Sequence, residues 1–324
     1  MAVDHMRLAF PLLSLTLICS FFDRHRQSYY DAVKREKETD DIAERVLAMV
    51  RQIRRILPGV GTEKLYFLMK DWLVATDIKM GRDKLHELLR EHDLLIKKKD
   101  GIRTTNSNHH FFKYSDKRKD LEVLRPERLW VSDITYLPVK GSYSYLSLIT
   151  DAYSRKIVGW ALEDSLDTSG PVKALRMALG QRKKKDGNME LMHHSDRGGQ
   201  YCSNKYTELL KANNIDISMV QSGDPRDNGI AERIHRTLKT EFLYGKPKGF
   251  RSLKEATRVM KKNIEAYNDV RPHASVDFLT PTQAHGLEGE IRKRWKKPDW
   301  KNRKKRKKEI VLEDYYEFNG ITGL

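Results

Sequence analysis

The sequence predicts an α/β protein, a mixed five-stranded sheet flanked by helices and preceded by an all-α region of helix-turn-helix character. Three observations carry this. Up to about residue 96 the apolar residues recur at helical spacing. At Leu129 the pattern changes to extended runs rich in Val, Ile, Tyr and Trp, and from Gly170 helical and extended patterns alternate.

In chain order, residues 8–22 are apolar, but Pro11 and Ser14 interrupt the run and no small-residue cleavage site follows, so a secretory leader is set aside. Ser14 reads as the N-cap of a short helix carrying Leu17, Ile18 and Phe21, with a turn near Asp23-Arg24 and a second helix from Arg26. A further helix starts at Asp40, carries Ile42, Val46, Val50, Ile53 and Leu57, and stops at Pro58-Gly59. Helices over Glu63–Leu73 and Arg82–Glu91 follow, the second entered through Gly81 with a stripe of Leu85, Leu88 and Leu89. Its outward residues Arg82, Lys84, His86 and Arg90 suit either a DNA major groove or a solvated face. Residues 97–125 read as a basic, polar linker.

The extended part begins with LWVSDITYLPV, SYLSLITDAY and RKIVGWAL, separated by Lys-Gly-Ser and Ser-Arg turns, which predicts an antiparallel meander. A helix near Gly170–Arg182, the strand LMHHSD, a helix over Asn204–Asn213 and the strand IDISMV complete the sheet. From Asp227 the chain is helical again.

Charge narrows the choice of partner. Lys and Arg number 62 against 45 Asp and Glu, a net charge of +17 in 324 residues, so a polyanion is expected. Twelve of the cations and one acid, Asp299, lie between Ile291 and Lys308, which therefore contributes +11. That stretch is either a solvated extension or a nucleic-acid arm, and the interleaved Trp295 and Trp300 offer stacking surfaces to the second. There is no 18-residue apolar run, so no membrane-spanning helix and no membrane partner are expected. Two cysteines, Cys19 and Cys202, make neither a disulfide framework nor a zinc knot, which points to a reduced, cytoplasmic setting.

Three carboxylates can carry chemistry. Asp133 sits in the middle of the first strand, against β-propensity. Asp196 ends the fourth strand in HHSDRGGQY, where ligands gather in α/β sheets, and Gly198-Gly199 lets the backbone turn beside it. Glu232 lies on a helix with Ile230, Ile234, Leu238 and Phe242 on one side, while Glu232, Arg236 and Lys239 cluster within about 60° on the other. Taken alone, Glu232 with Arg236 is ordinary i,i+4 support. Together the three acids suit two divalent cations, Mg²⁺ or Mn²⁺, that neutralise them and promote in-line phosphoryl displacement without a general-base histidine.

The segments WVSDITYL, HHSDRGGQY and DNGIAERIHRTLK, with 35 residues between Asp196 and Glu232, resemble the integrase-core (DDE) transposases of bacterial insertion sequences, in their OrfB form, and their retroviral-integrase-like catalytic domain. YNDVRPHASVDFLTPTQAH resembles the segment that closes that core. The resemblance implies an RNase H-like core over 126–287 and a helical DNA-binding region over 1–96, and it does not explain the basic extension over 288–324. It implies Asp133, Asp196 and Glu232 as the catalytic, metal-binding triad with two ions. Lys239, seven residues after the Glu, becomes a DNA contact, with Arg236, Arg82, Lys84 and Arg90 as further candidates. The implied reaction is cleavage and transfer of DNA strands at element ends. The implied partners are terminal repeats, target DNA, further copies of the chain and an upstream OrfA-type helix-turn-helix protein, in a nucleoid-associated setting. Three departures stand out. Asn228-Gly229 replaces the usual Asn-Ala, PGVGTEKL lacks the usual aromatic-Gly pair, and His109-His110 has no CxxC after it. A silent DNA-binding derivative and an RNA-directed nuclease are the competing readings.

Overall fold

The computed structural model describes residues 2–96, 111–118, 121–182, 190–221, 228–244 and 249–294. The proposed linker falls mostly, and the basic extension almost wholly, outside them. The chain forms two compact units, one from residues 1–106, 137–143 and 232–266, the other from 107–136, 144–231 and 267–324. No described helix is long and apolar enough to cross a membrane.

The first unit is mainly helical. After α1 (Ala2–Ala9), α2 (Leu15–Ser20) is capped as expected, the Ser14 hydroxyl accepting the Leu17 N–H at 3.3 Å. A turn with Asp23 at φ +55° leads into α3 (Arg26–Ile56). Here the expectation of a separate helix from Asp40 is corrected: α3 is one helix of 31 residues. Nothing between Arg26 and Ile56 breaks it, for the stretch holds neither Gly nor Pro. Its buried side chains, Val46, Leu47 and Val50, all lie in its later half, while Tyr29 near its start donates to Asp4 of α1 at 2.7 Å. Pro58-Gly59 ends it, and α4 (Thr62–Ala75) and α5 (Arg82–Glu91) follow, burying Leu65, Met69, Leu85 and Leu89.

The second unit is built on the sheet, whose strand order is β3-β2-β1-β4-β5. β1 (Leu129–Val139) turns into β2 (Ser142–Asp151) through Lys140 and Gly141, both at positive φ, a two-residue turn whose twist matches antiparallel strands. β2 pairs antiparallel with β3 (Ile157–Glu163). The helix α6 (Ser169–Gln181) then crosses to β4 (Leu191–Ser195), which runs parallel to β1. Next come α7 (Gly199–Cys202), a turn the sequence pattern did not reveal, and α8 (Asn204–Ala212), before β5 (Ile215–Met219) pairs parallel with β4. Order and directions match the RNase H-like expectation. One face of the sheet buries Trp130, Leu191 and Ile217 against α6 and α8. The other buries Leu129, Val131, Ala152 and Met192.

Candidate active site

The parallel pairing of β1 with β4 sets Trp130 beside His193 and Val131 beside His194. Asp133 lies two residues past Val131 on β1, and Asp196 two residues past His194, one residue beyond the end of β4. Side chains alternate across a strand, so Asp133 shares a face with Leu129 and Val131, and Asp196 shares it with Met192. Both carboxylates are half-buried.

Each acid is oriented by a local backbone amide. Asp133 Oδ1 accepts the Ile134 N–H at 2.9 Å, and Asp196 Oδ1 accepts the Gly198 N–H at 3.0 Å. Gly198 has an ordinary φ of −64°, so the expected sharp glycine turn is corrected. What it supplies is room, because a Cβ there would lie 3.0 Å from Asp196 Oδ1. Beneath the pair, burial holds the Tyr201 phenol well above its usual pKa, with Tyr206, Asp133 and Asp196 pushing the same way. Burial and the Asp196 charge likewise raise the Cys202 thiol to about 11. His193 is buried, faces the Tyr206 hydroxyl at 2.9 Å and is pulled down to about 3 by burial and by His194. Burial thus favours its neutral form.

The helix α9 (Gly229–Thr237) begins on the same sheet face. Asn228 Nδ2 donates to the Ser132 carbonyl at 2.9 Å, one residue before Asp133, and Ala231 packs into the cluster of Leu129, Val131 and Met192 with Ile230 beside it. Glu232 is the next residue of that helix and is exposed. It belongs by its contacts to the other unit. Among the described residues no three His, Cys, Asp or Glu side chains are gathered closely enough to hold a metal ion.

The continuous α-helical wheel expected through Phe242 is also corrected. α9 ends at Thr237, and Leu238–Phe242 form a π turn, with the Leu243 N–H reaching the Leu238 carbonyl at 3.0 Å. Ile234, Leu238 and Phe242 are buried as expected and Arg236 is exposed, but the wider turn leaves Lys239 half-buried. On α5, Lys84 is exposed, Arg82 pairs with Asp83 at 2.8 Å and Arg90 with Glu87 at 3.2 Å. Sequence reasoning passed over Asn228 as a mere variation of motif, although its place four residues before the Glu was the available signal.

An integrase core domain family model matches residues 124–225, and a second integrase core domain model matches 213–281. The insertion element IS600 uncharacterized 31 kDa protein of Shigella sonnei is 31% identical over 269 residues, covering 82% of this chain and 96% of that one. The chain belongs to the integrase-core transposases of bacterial insertion sequences. Other members of the family are similar over a shorter span. The transposase for IS904 of Lactococcus lactis is 34% identical over 157 residues, 48% of this chain and 60% of its own length. Transposase InsF for IS3A of Escherichia coli is 34% identical over 166 residues, 51% and 56% of the two chains. Among solved structures, the HTLV-2 integrase catalytic core domain in complex with magnesium is 18% identical, with a TM-score of 0.40 over 51% of this chain and 99% of that one.

Proposed function

We propose that the chain cleaves DNA strands at the ends of an insertion sequence and joins them to target DNA, with Asp133, Asp196 and Glu232 as its metal-binding triad. One observation carries this reading. Asp133 lies on β1 and Asp196 just beyond the parallel strand β4, and Ala231, the neighbour of Glu232, packs among Leu129, Val131 and Met192 of those strands, which supports the reading. The donor set suits Mg²⁺ or Mn²⁺, which take carboxylate oxygens together with substrate phosphate. When bound, two such ions activate the attacking water or 3′-hydroxyl and stabilise the leaving oxygen.

The protein's own part is placement. The strand ladder fixes two carboxylates, Ile134 and Gly198 amides set their rotamers, and Asn228 seats the start of α9. Arg236 and Lys239, on the surface beyond Glu232, meet phosphates, and further copies of the chain assemble on paired element ends. The test is incubation with Mg²⁺ and a duplex carrying the inverted repeat that flanks the coding sequence, followed by a pre-cut version of that end with plasmid target. Cleavage followed by strand transfer supports the reading. Cleavage without transfer favours a plain nuclease, and neither in the presence of tight DNA binding favours a silent DNA-binding protein.

A further inference from the structure

The loop between α3 and α4 contains the PGVGTEKL departure, and the site described above makes no use of it. Within the first unit this loop meets the π turn that follows α9. The Gly59 N–H donates to the Glu241 carbonyl at 2.7 Å. That carbonyl lies in the last described turn of the helix, where helix carbonyls take partners from outside the helix. Lys64, in the first turn of α4, pairs its Nζ with Glu241 Oε1 at 3.0 Å, the two side chains being only 20% and 21% exposed. A Cβ at Gly59 would lie 2.6 Å from both the Cα and the carbonyl oxygen of Glu241 and 2.9 Å from the Thr240 oxygen. No side chain fits there, so the aromatic-free PGVG sequence matches a backbone-to-backbone approach. The loop is braced from behind, since Arg54 on the last turn of α3 donates to the Leu94 carbonyl at 2.7 Å and the Val60 carbonyl at 3.5 Å.

We infer that Gly59 and Lys64 are positioning residues for the helix that carries Glu232 and Lys239, so that the leader sets the presentation of the third carboxylate as well as binding DNA. The inference rests on the triad reading above. A π turn is a natural place for such control: its register differs from that of the α-helix before it, and shifting it rotates every residue of the helix it terminates. Between them, Gly59 holds Glu241 by its backbone and Lys64 by its side chain.

Charge reversal in the full-length protein tests this. Lys64→Glu and Glu241→Lys should each lower kcat for Mg²⁺-dependent cleavage of the inverted-repeat duplex about tenfold, while KM for that DNA stays within about twofold. The doubly reversed protein should recover most of the loss, as expected for a directly contacting pair. Lys64→Met, which removes the charge without repulsion, should fall between. All are assayed at a temperature where circular dichroism shows each variant folded, so that a merely structural role leaves kcat unmoved. Unchanged kcat in both single reversals, no recovery in the double, or a loss confined to DNA affinity would each overturn the inference. Glu232→Gln run alongside separates the two claims: if it cleaves normally the triad reading fails, whereas if it is dead and the reversals are silent only the positioning claim fails.

Discussion

The strand pair that bears Asp133 and Asp196 and the helix that bears Glu232 are held by different kinds of force. β1 and β4 are joined by a backbone ladder in the interior of the sheet, with Trp130 at 0% exposure, and Asp133 and Asp196 follow from those strands. The helix is seated by discrete groups instead: one side-chain hydrogen bond from Asn228, the small Ala231 in a packed cluster, and the Gly59 and Lys64 contacts to the turn at its far end. In the proposed triad, two carboxylates therefore depend on the sheet and the third on separable contacts. Local openings draw on such weakly tied segments.

The largest expected effect removes the charge itself. Asp133→Asn, Asp196→Asn and Glu232→Gln should each lower cleavage on the order of a thousandfold or more, since a bound ion supplies several kcal/mol of transition-state stabilisation, while gel-shift affinity for the repeat duplex changes little. Near-normal cleavage by any one of them removes that residue from the triad.

Next comes the rigid half. Trp130→Ala should cost about 3–5 kcal/mol in urea unfolding, the usual loss for a deleted core aromatic, and activity should vanish only with the folded population. If activity is lost in protein that remains fully folded, the sheet's role is more than scaffolding.

Asn228→Ala addresses the adjustable half, removing a single hydrogen bond worth about 1 kcal/mol. Folding should hold, while cleavage falls several-fold in Mg²⁺ and less in Mn²⁺, because Mg²⁺ demands nearly ideal octahedral geometry. Equal losses with the two ions would show that Asn228 does not act through metal geometry.

The smallest effect is a control far from the helix. Asp116 is held down to about 2 by its hydrogen bonds from Arg118. A depressed carboxylate pKa stabilises the fold above the unfolded value, near 4, and loses that contribution as pH falls through the folded one. Asp116→Asn should therefore unfold at lower urea than wild type at pH 7, with the gap closing as pH approaches 2, and cleavage at pH 7 should be unchanged. A gap that persists at pH 2 would assign the loss to packing.

How much of this was legible in the sequence differs between the same two regions. The bounds of β1 were read as they stand, because eleven residues of β-branched and aromatic character end at a Lys-Gly turn whose positive φ values the structure bears out. The three acids were legible through their strand and helix context and through a resemblance in motif and spacing. α3 was misread as two helices because charge clusters around Asp40 look like a boundary, although without Gly or Pro they only solvate a helix. The π turn was invisible: a 100° wheel fits Ile234, Leu238 and Phe242 as buried whichever register the backbone adopts.

By itself the sequence determined most of the elements, the meander and the family, and nominated the three acids, since these rest on local periodicity, turn chemistry and residue type. Only the tertiary structure decided that β1 and β4, from which Asp133 and Asp196 follow, pair in parallel, that Asn228 reaches the carbonyl before Asp133, and that the α3–α4 loop grips Glu241. Those facts depend on parallel pairing and on contacts up to 182 residues apart along the chain, between Gly59 and Glu241. Local pattern carries no information about such contacts; closing the chain into a packed fold creates them.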